Sequence, residues 1–168
     1  MRKEKGVTLV ELMIVVGIIS AVFTGFTVIL IKGIQLFQLN KTKAEVERDV
    51  RTVIELVNRS LREAESSTVV IDSLDASEPP YSRISFTDVN GAARAFYQQD
   101  KKLYMSTPTG DNILMGNLRT VFFMYPDTAE SESDEGMILT VSLCAEGDYW
   151  GTQKKVYHMN LEKIRLMN

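Results

Sequence analysis

The spacing of apolar positions changes twice along this chain. From Leu12 to Ile31 there is no charged residue, a run of 20 that Lys32 closes. At about 1.5 Å of rise per residue, such a helix spans roughly 30 Å, the hydrocarbon thickness of a bilayer. The run is longer than the apolar core of an ordinary secretory signal peptide, and no convincing small-x-small cleavage site follows it. A second pattern starts at Val46. Val46, Val50, Val53, Val57, Leu61 and Ala64 recur at steps of three and four, and Glu47, Arg48, Arg51, Glu55, Arg62 and Glu63 fill the other face. That is helical periodicity. Ile34, Phe37 and Ala44 extend it upstream less regularly. No proline occurs before Pro79. The pattern predicts one helix over residues 7–65, apolar all round in its first half and amphipathic in its second, with Ser66 and Ser67 ending it.

Beyond Ser67 the period shortens to that of strands. Thr68–Ile71 is a β-branched run, and Arg83–Val89 alternates. Ala93–Gln98 and Lys102–Ser106 flank a short turn and read as a hairpin. Leu118–Tyr125 and Met137–Cys144 are strong strands, and Lys155–Met159 with Ile164–Met167 gives one or two more. Asn90-Gly91, Thr109-Gly110-Asp111 and Gly147-Asp148 punctuate their ends. The expected fold class is α+β. A mostly antiparallel β domain occupies residues 67–168, and the helical stripe covers one face of its sheet.

Charge narrows the function. The net charge is −3, so nothing in bulk favours a nucleic-acid partner. The first six residues, MRKEKG, hold three cations against one anion, which is the composition of a targeting leader. Cys144 is the single cysteine and His158 the single histidine. An internal disulfide and a Cys/His zinc site are therefore excluded by count, and no metal site or cofactor is expected. An enzyme needs convergent groups, such as a nucleophile with a base; carboxylates and serines without pattern do not supply them.

One carboxylate does stand out. Glu11 lies at the start of the apolar segment, five residues after Gly6. Near the middle of a membrane helix a carboxylate costs about 2.5–3.5 kcal/mol, and less toward the end. The stretch from Gly6 through Val16, with glycine, threonine-leucine, glutamate and the apolar run in register, resembles the prepilin cleavage and methylation motif. The chain thus looks like a type IV pilin or a pseudopilin of a type II secretion system. Glu47–Val50, Leu61–Ala64, Asn112–Tyr125 and Lys163–Asn168 more loosely resemble minor pseudopilin J and the W-type minor pilins. Val7 stands where Phe or Met is usual in the family. Two further features depart from bulk fibre subunits: the apolar segment lacks a kinking proline, and the paired cysteines near the end are missing.

The resemblance implies a leader over residues 1–6, cut between Gly6 and Val7 by a prepilin peptidase, with N-methylation at Val7. It implies a membrane and fibre-core helix over residues 7–31, an amphipathic continuation over 32–66 and the β-rich domain over 67–168. The new N-terminus would be cytoplasmic and the β domain extracytoplasmic. Its partners would be other minor and major pilins or pseudopilins, with no nucleic acid bound directly. A terminal amine, with an ordinary pKa of about 7.7–8.0, would be cationic at neutral pH, and the family implies that Glu11 meets such an amine on a neighbouring subunit. Gly17, Ala21 and Gly25 form a small-xxx-small row suited to close helix packing. Asp127–Glu135 holds five carboxylates and some pseudopilins bind calcium; the spacing matches no defined calcium loop, so a solvated loop is expected. The alternative to a fibre subunit is a membrane-anchored β domain with a sensor or enzymatic role. An ordinary anchor gives no reason for a glutamate at that place.

Overall fold

The computed structural model describes residues 7–125, 138–149 and 154–166. The chain divides into two compact units, Met1–Asn40 and Lys41–Asn168. A single helix, α1, runs from Leu9 to Arg62. Among the described residues eight strands follow: β1 (Val70–Asp72), β2 (Arg83–Thr87), β3 (Ala93–Gln99), β4 (Lys102–Thr107), β5 (Gly110–Met115), β6 (Leu118–Met124), β7 (Ile138–Tyr149) and β8 (Lys154–Arg165). They form a five-stranded sheet in the order β1-β2-β3-β4-β5 and a three-stranded sheet in the order β6-β7-β8. All pairings are antiparallel. The fold is α+β and type IV pilin-like.

The amphipathic stripe does what its spacing predicts. Val46, Val50, Val53, Val57, Leu61 and Ala64 are all buried, and Ile54 joins them. They pack into one core with Ile84, Phe86 and Phe96 of the larger sheet and Val121, Phe123, Leu139 and Leu143 of the smaller. The irregular upstream extension does not hold, because Ile34, Phe37 and Ala44 are exposed and the buried stripe begins at Val46. On the opposite face Lys41–Glu45, Glu47–Arg51 and Arg59–Glu63 are exposed pairs four residues apart, each worth about 0.3–0.5 kcal/mol.

α1 ends three residues before the expected Glu65 because its backbone finds strand partners. Val89 N–H donates to the Glu63 carbonyl at 3.0 Å, and Glu65 N–H to the Thr87 carbonyl at 2.9 Å. Ser66–Thr68 then forms a single 3₁₀ turn, where a strand was expected from Thr68. Asp88 fixes this corner. Its side chain is nearly inaccessible, accepts from the N–H groups of Asn90 and Ala92, and meets Arg94 at 2.7 Å.

The two sheets are stitched along β6 without a regular ladder. Leu118 N–H donates to the Lys101 carbonyl and Phe123 N–H to the Tyr81 carbonyl. Between them, Val121 N–H donates to Oε1 of the buried Gln98 at 3.0 Å. Gln98 Nε2 in turn donates to the Asp100 carbonyl at 3.1 Å. Tyr81 holds a positive φ of 62°, which aims its carbonyl at β6 at some backbone cost.

Two strand expectations need correction. β5 was not foreseen, since its first residues are the turn formers Gly110, Asp111 and Asn112. β7 runs on to Tyr149 through Gly147-Asp148, where a strand end was expected. There the glycine serves close packing: a Cβ on Gly147 would lie 2.6 Å from Val46 Cγ2 and 2.7 Å from Thr42 Cγ2. Of the one or two C-terminal strands expected, the chain forms one, because β8 pairs with β7 without interruption from Arg165 to Lys154.

Candidate functional site

The residues singled out at the chain start lie on the first turns of α1. Thr8 precedes the helix and closes its first turn. Leu12 N–H donates to the Thr8 carbonyl at 3.2 Å, and Glu11 N–H donates to Thr8 Oγ1 at 3.3 Å. Thr8 is thus the N-cap and Glu11 the third helical residue. A threonine followed three residues later by glutamate is the sequence pattern of a capping box, a signal legible in the sequence itself. Glu11 therefore has a local role besides any in assembly. A carboxylate in the first turn faces the positive end of the helix dipole, worth typically 0.3–1 kcal/mol.

After Glu11 the segment satisfies its own polar groups. Ser20 Oγ donates to the Val16 carbonyl at 2.8 Å, Thr24 Oγ1 to Ser20 at 2.8 Å and Thr27 Oγ1 to Phe23 at 2.9 Å. In hydrocarbon an unsatisfied hydroxyl is costly, and bonding to the preceding turn removes that cost. Glu11 remains as the only charge from Val7 to Ile31. α1 is long and apolar enough to cross a membrane in this part. Gly17 and Gly25 have open space where a Cβ would stand, and Ala21 is exposed between them. The small-residue row is thus free of contacts within the described chain. Val7 is exposed. Gly6 and the Asp127–Glu135 stretch lie outside the described residues.

Among the described residues no group of three or more His, Cys, Asp or Glu side chains is placed to hold a metal ion. His158 is half-buried in β8. Cys144 is a free thiol on β7, and burial pushes its pKa up, away from the reactive thiolate. Glu146 of β7 forms an ion-pair cluster, with Lys101 at 2.5 Å and Lys155 at 3.0 Å. The Lys101 hydrogen bond first, and that of Lys155 second, hold the Glu146 carboxyl below its ordinary range.

Residues 1–27 match the family described as the prokaryotic N-terminal methylation motif, the signature of type IV pilins and pseudopilins. The match includes Gly6, Val7, Thr8 and Glu11. No curated protein and no solved structure matches the chain. The motif implies processing by a prepilin peptidase and assembly with other pilins in a membrane-associated fibre.

Proposed function

We propose that this protein is a minor pilin or minor pseudopilin, a non-enzymatic subunit that helps to initiate or cap a fibre for secretion or pilus assembly. The observation that carries the reading is the registration of motif and helix. The motif match spans residues 1–27, the basic leader read from the sequence closes on Gly6, α1 begins at Leu9, and Glu11 is the lone charge on the apolar turns that follow. Cleavage after Gly6 would leave Val7 and its amine two residues before the first helical residue, with the capped turn already formed.

In this reading the apolar half of α1 holds the subunit in the cytoplasmic membrane, with the leader in the cytoplasm and the β domain outside. Val7 is N-methylated, which keeps its positive charge. Glu11 pairs with the amine of a neighbour, and Gly17, Ala21 and Gly25 let neighbouring helices approach. A minor rather than a major role rests on two features of the sequence: the apolar segment lacks a proline, and Cys144 has no partner cysteine. N-terminal sequencing of the protein from its native membrane, with fibre fractions probed for it, tests the reading. The expected mature chain starts at Val7 and co-purifies in substoichiometric amount with the fibre. Retention of Met1, or a cut beyond Ser20, would refute it.

A further inference from the structure

β8 is an open edge. On one side it pairs with β7 over its whole length; on the other it pairs with no strand among the described residues. The free N–H and C=O groups of such an edge are a template for a further strand, and proteins usually blunt them with short length, bulges, proline or charge. The other edges here are blunted. β1 has three residues. β5 opens on Gly110-Asp111-Asn112 and bends at a register shift against β4. The outward N–H groups of β6 go to Lys101, Gln98 and Tyr81. β8 is 12 residues long, with no proline, no register shift and no charge from Val156 to Leu161.

In its middle, between the inward-facing Val156 and Ile164, the side chains also run against the usual order. On the face shared with core residues Leu143 and Ala145, β8 places Asn160 and His158. On the outer face, opposite Ser142, Cys144 and Glu146, it places Leu161, Met159 and Tyr157. These three are 52%, 65% and 50% exposed. A strand that served only to close the core would carry the opposite alternation. Exposed apolar side chains beside an unpaired backbone edge are what an added strand would cover.

Charge selects the occupant. Lys154 and Lys155 mark one end of β8, and Lys163 and Arg165 the other; Glu162 beside them faces inward, opposite Val141, and accepts from Asn58 of α1. Lys155 is held by Glu146; Lys154, Lys163 and Arg165 have no ion-pair partner among the described residues. A second copy of β8 would bring cationic end to cationic end in either direction, and like charges directly opposite destabilise a pair. We infer that β8 is a docking edge for a strand of a different protein chain, apolar in its middle and acidic at both ends, added as the fourth strand of the smaller sheet.

The test uses the full chain in non-ionic detergent, with amide hydrogen exchange read across β8. The probe is a synthetic peptide of alternating threonine and valine with paired glutamates at each end. It should slow exchange in β8 and bind about tenfold more tightly than the same peptide with lysine ends, a difference of about 1.4 kcal/mol. Of two versions N-methylated on alternate amides, one of each parity, one should lose binding and the other keep it, since a strand joins an edge through one parity only. Lys163→Glu combined with Arg165→Glu should abolish the preference between the two peptides, because Lys154 and Lys155 still favour glutamate at the opposite end. The inference fails if glutamate- and lysine-ended peptides bind equally or not at all. It fails too if both methylated versions bind like the parent peptide. Protection of β8 that rises with protein concentration and no peptide would assign the edge to a second copy. Protection by phosphatidylserine vesicles alone would assign it to a membrane. Protection already complete in the dilute free chain would assign it to the chain itself. Each of these three outcomes overturns the proposal.

Discussion

Replacing Gln98 by leucine should loosen the seam between the two sheets. Gln98 is 3% exposed, and its Oε1 accepts from Val121 N–H at 3.0 Å. Neighbouring N–H groups on the same edge of β6 bond to the Lys101 and Tyr81 carbonyls, so the amide stands in for one rung of a ladder. Leucine has about the same volume and leaves no large cavity, so the loss is mainly that of a buried donor without an acceptor. Such a group costs about 1–3 kcal/mol. The Asp100 carbonyl, which loses Gln98 Nε2, belongs to an exposed residue and can turn to water. An expected loss of about 2 kcal/mol corresponds to a drop in Tm of roughly 6–10 °C for a unit of this size. The assay is thermal and urea unfolding of the full chain in detergent, followed by the strand signal in circular dichroism. Gln98→Glu sharpens the test. A protonated carboxyl can still accept from Val121 and donate one hydrogen bond, whereas a carboxylate cannot donate and is buried without a cation. Its folded pKa should therefore rise above the unfolded value of about 4.3. The stability of this variant should be near wild type below that pH and fall as pH rises through the raised value. If Gln98→Leu lies within about 0.5 kcal/mol of wild type, a range usual for surface substitutions, the amide does not hold the sheets together.

Gly147→Ala should destabilise by about 1–3 kcal/mol, because the new methyl would stand 2.6 Å from Val46 Cγ2; combining it with Val46→Ala should recover part of the loss in urea unfolding, and no recovery would show that the contact is not the cause. The Glu146 carboxyl is held low by Lys101 and Lys155, so its contribution is present above the unfolded carboxylate pKa and lost as pH falls through the lower folded value. Glu146→Gln should therefore reduce stability at neutral pH and flatten its fall in acid, as read from Tm against pH. Glu11→Leu should leave insertion and cleavage after Gly6 intact, by mass shift, yet reduce co-purification with the fibre; Glu11→Asp should be intermediate. Thr8→Val should cost the helix start about 1 kcal/mol without lowering co-purification, which separates capping from assembly.

Much of the helix and of the candidate site is local in origin, and the sequence determines it. The leader charge, the lone Glu11, the uncharged run and the steps of three and four from Val46 to Ala64 each follow from neighbours a few residues apart. A helix is closed by bonds over four residues, so its buried face can be read from spacing alone. Hairpins share this property, and β3 with β4 lies where alternation and a short turn place it. Even the capping relation of Thr8 and Glu11 is written in the sequence, three residues apart. Other features were decided only when distant segments met. Gly147 reads as a strand end until Val46 and Thr42 press against it. β5 opens on turn-forming residues and becomes a strand because β4 offers it a ladder. Gln98 sits at an ordinary inward strand position, and only the arrival of β6 turns its amide into part of a seam. The reversed alternation of β8 is visible in the sequence as polar and apolar residues, but not which set faces outward. That depends on register with β7 and on which edge is left open, and both are fixed by contacts between segments far apart in the chain, whose energies no local spacing encodes.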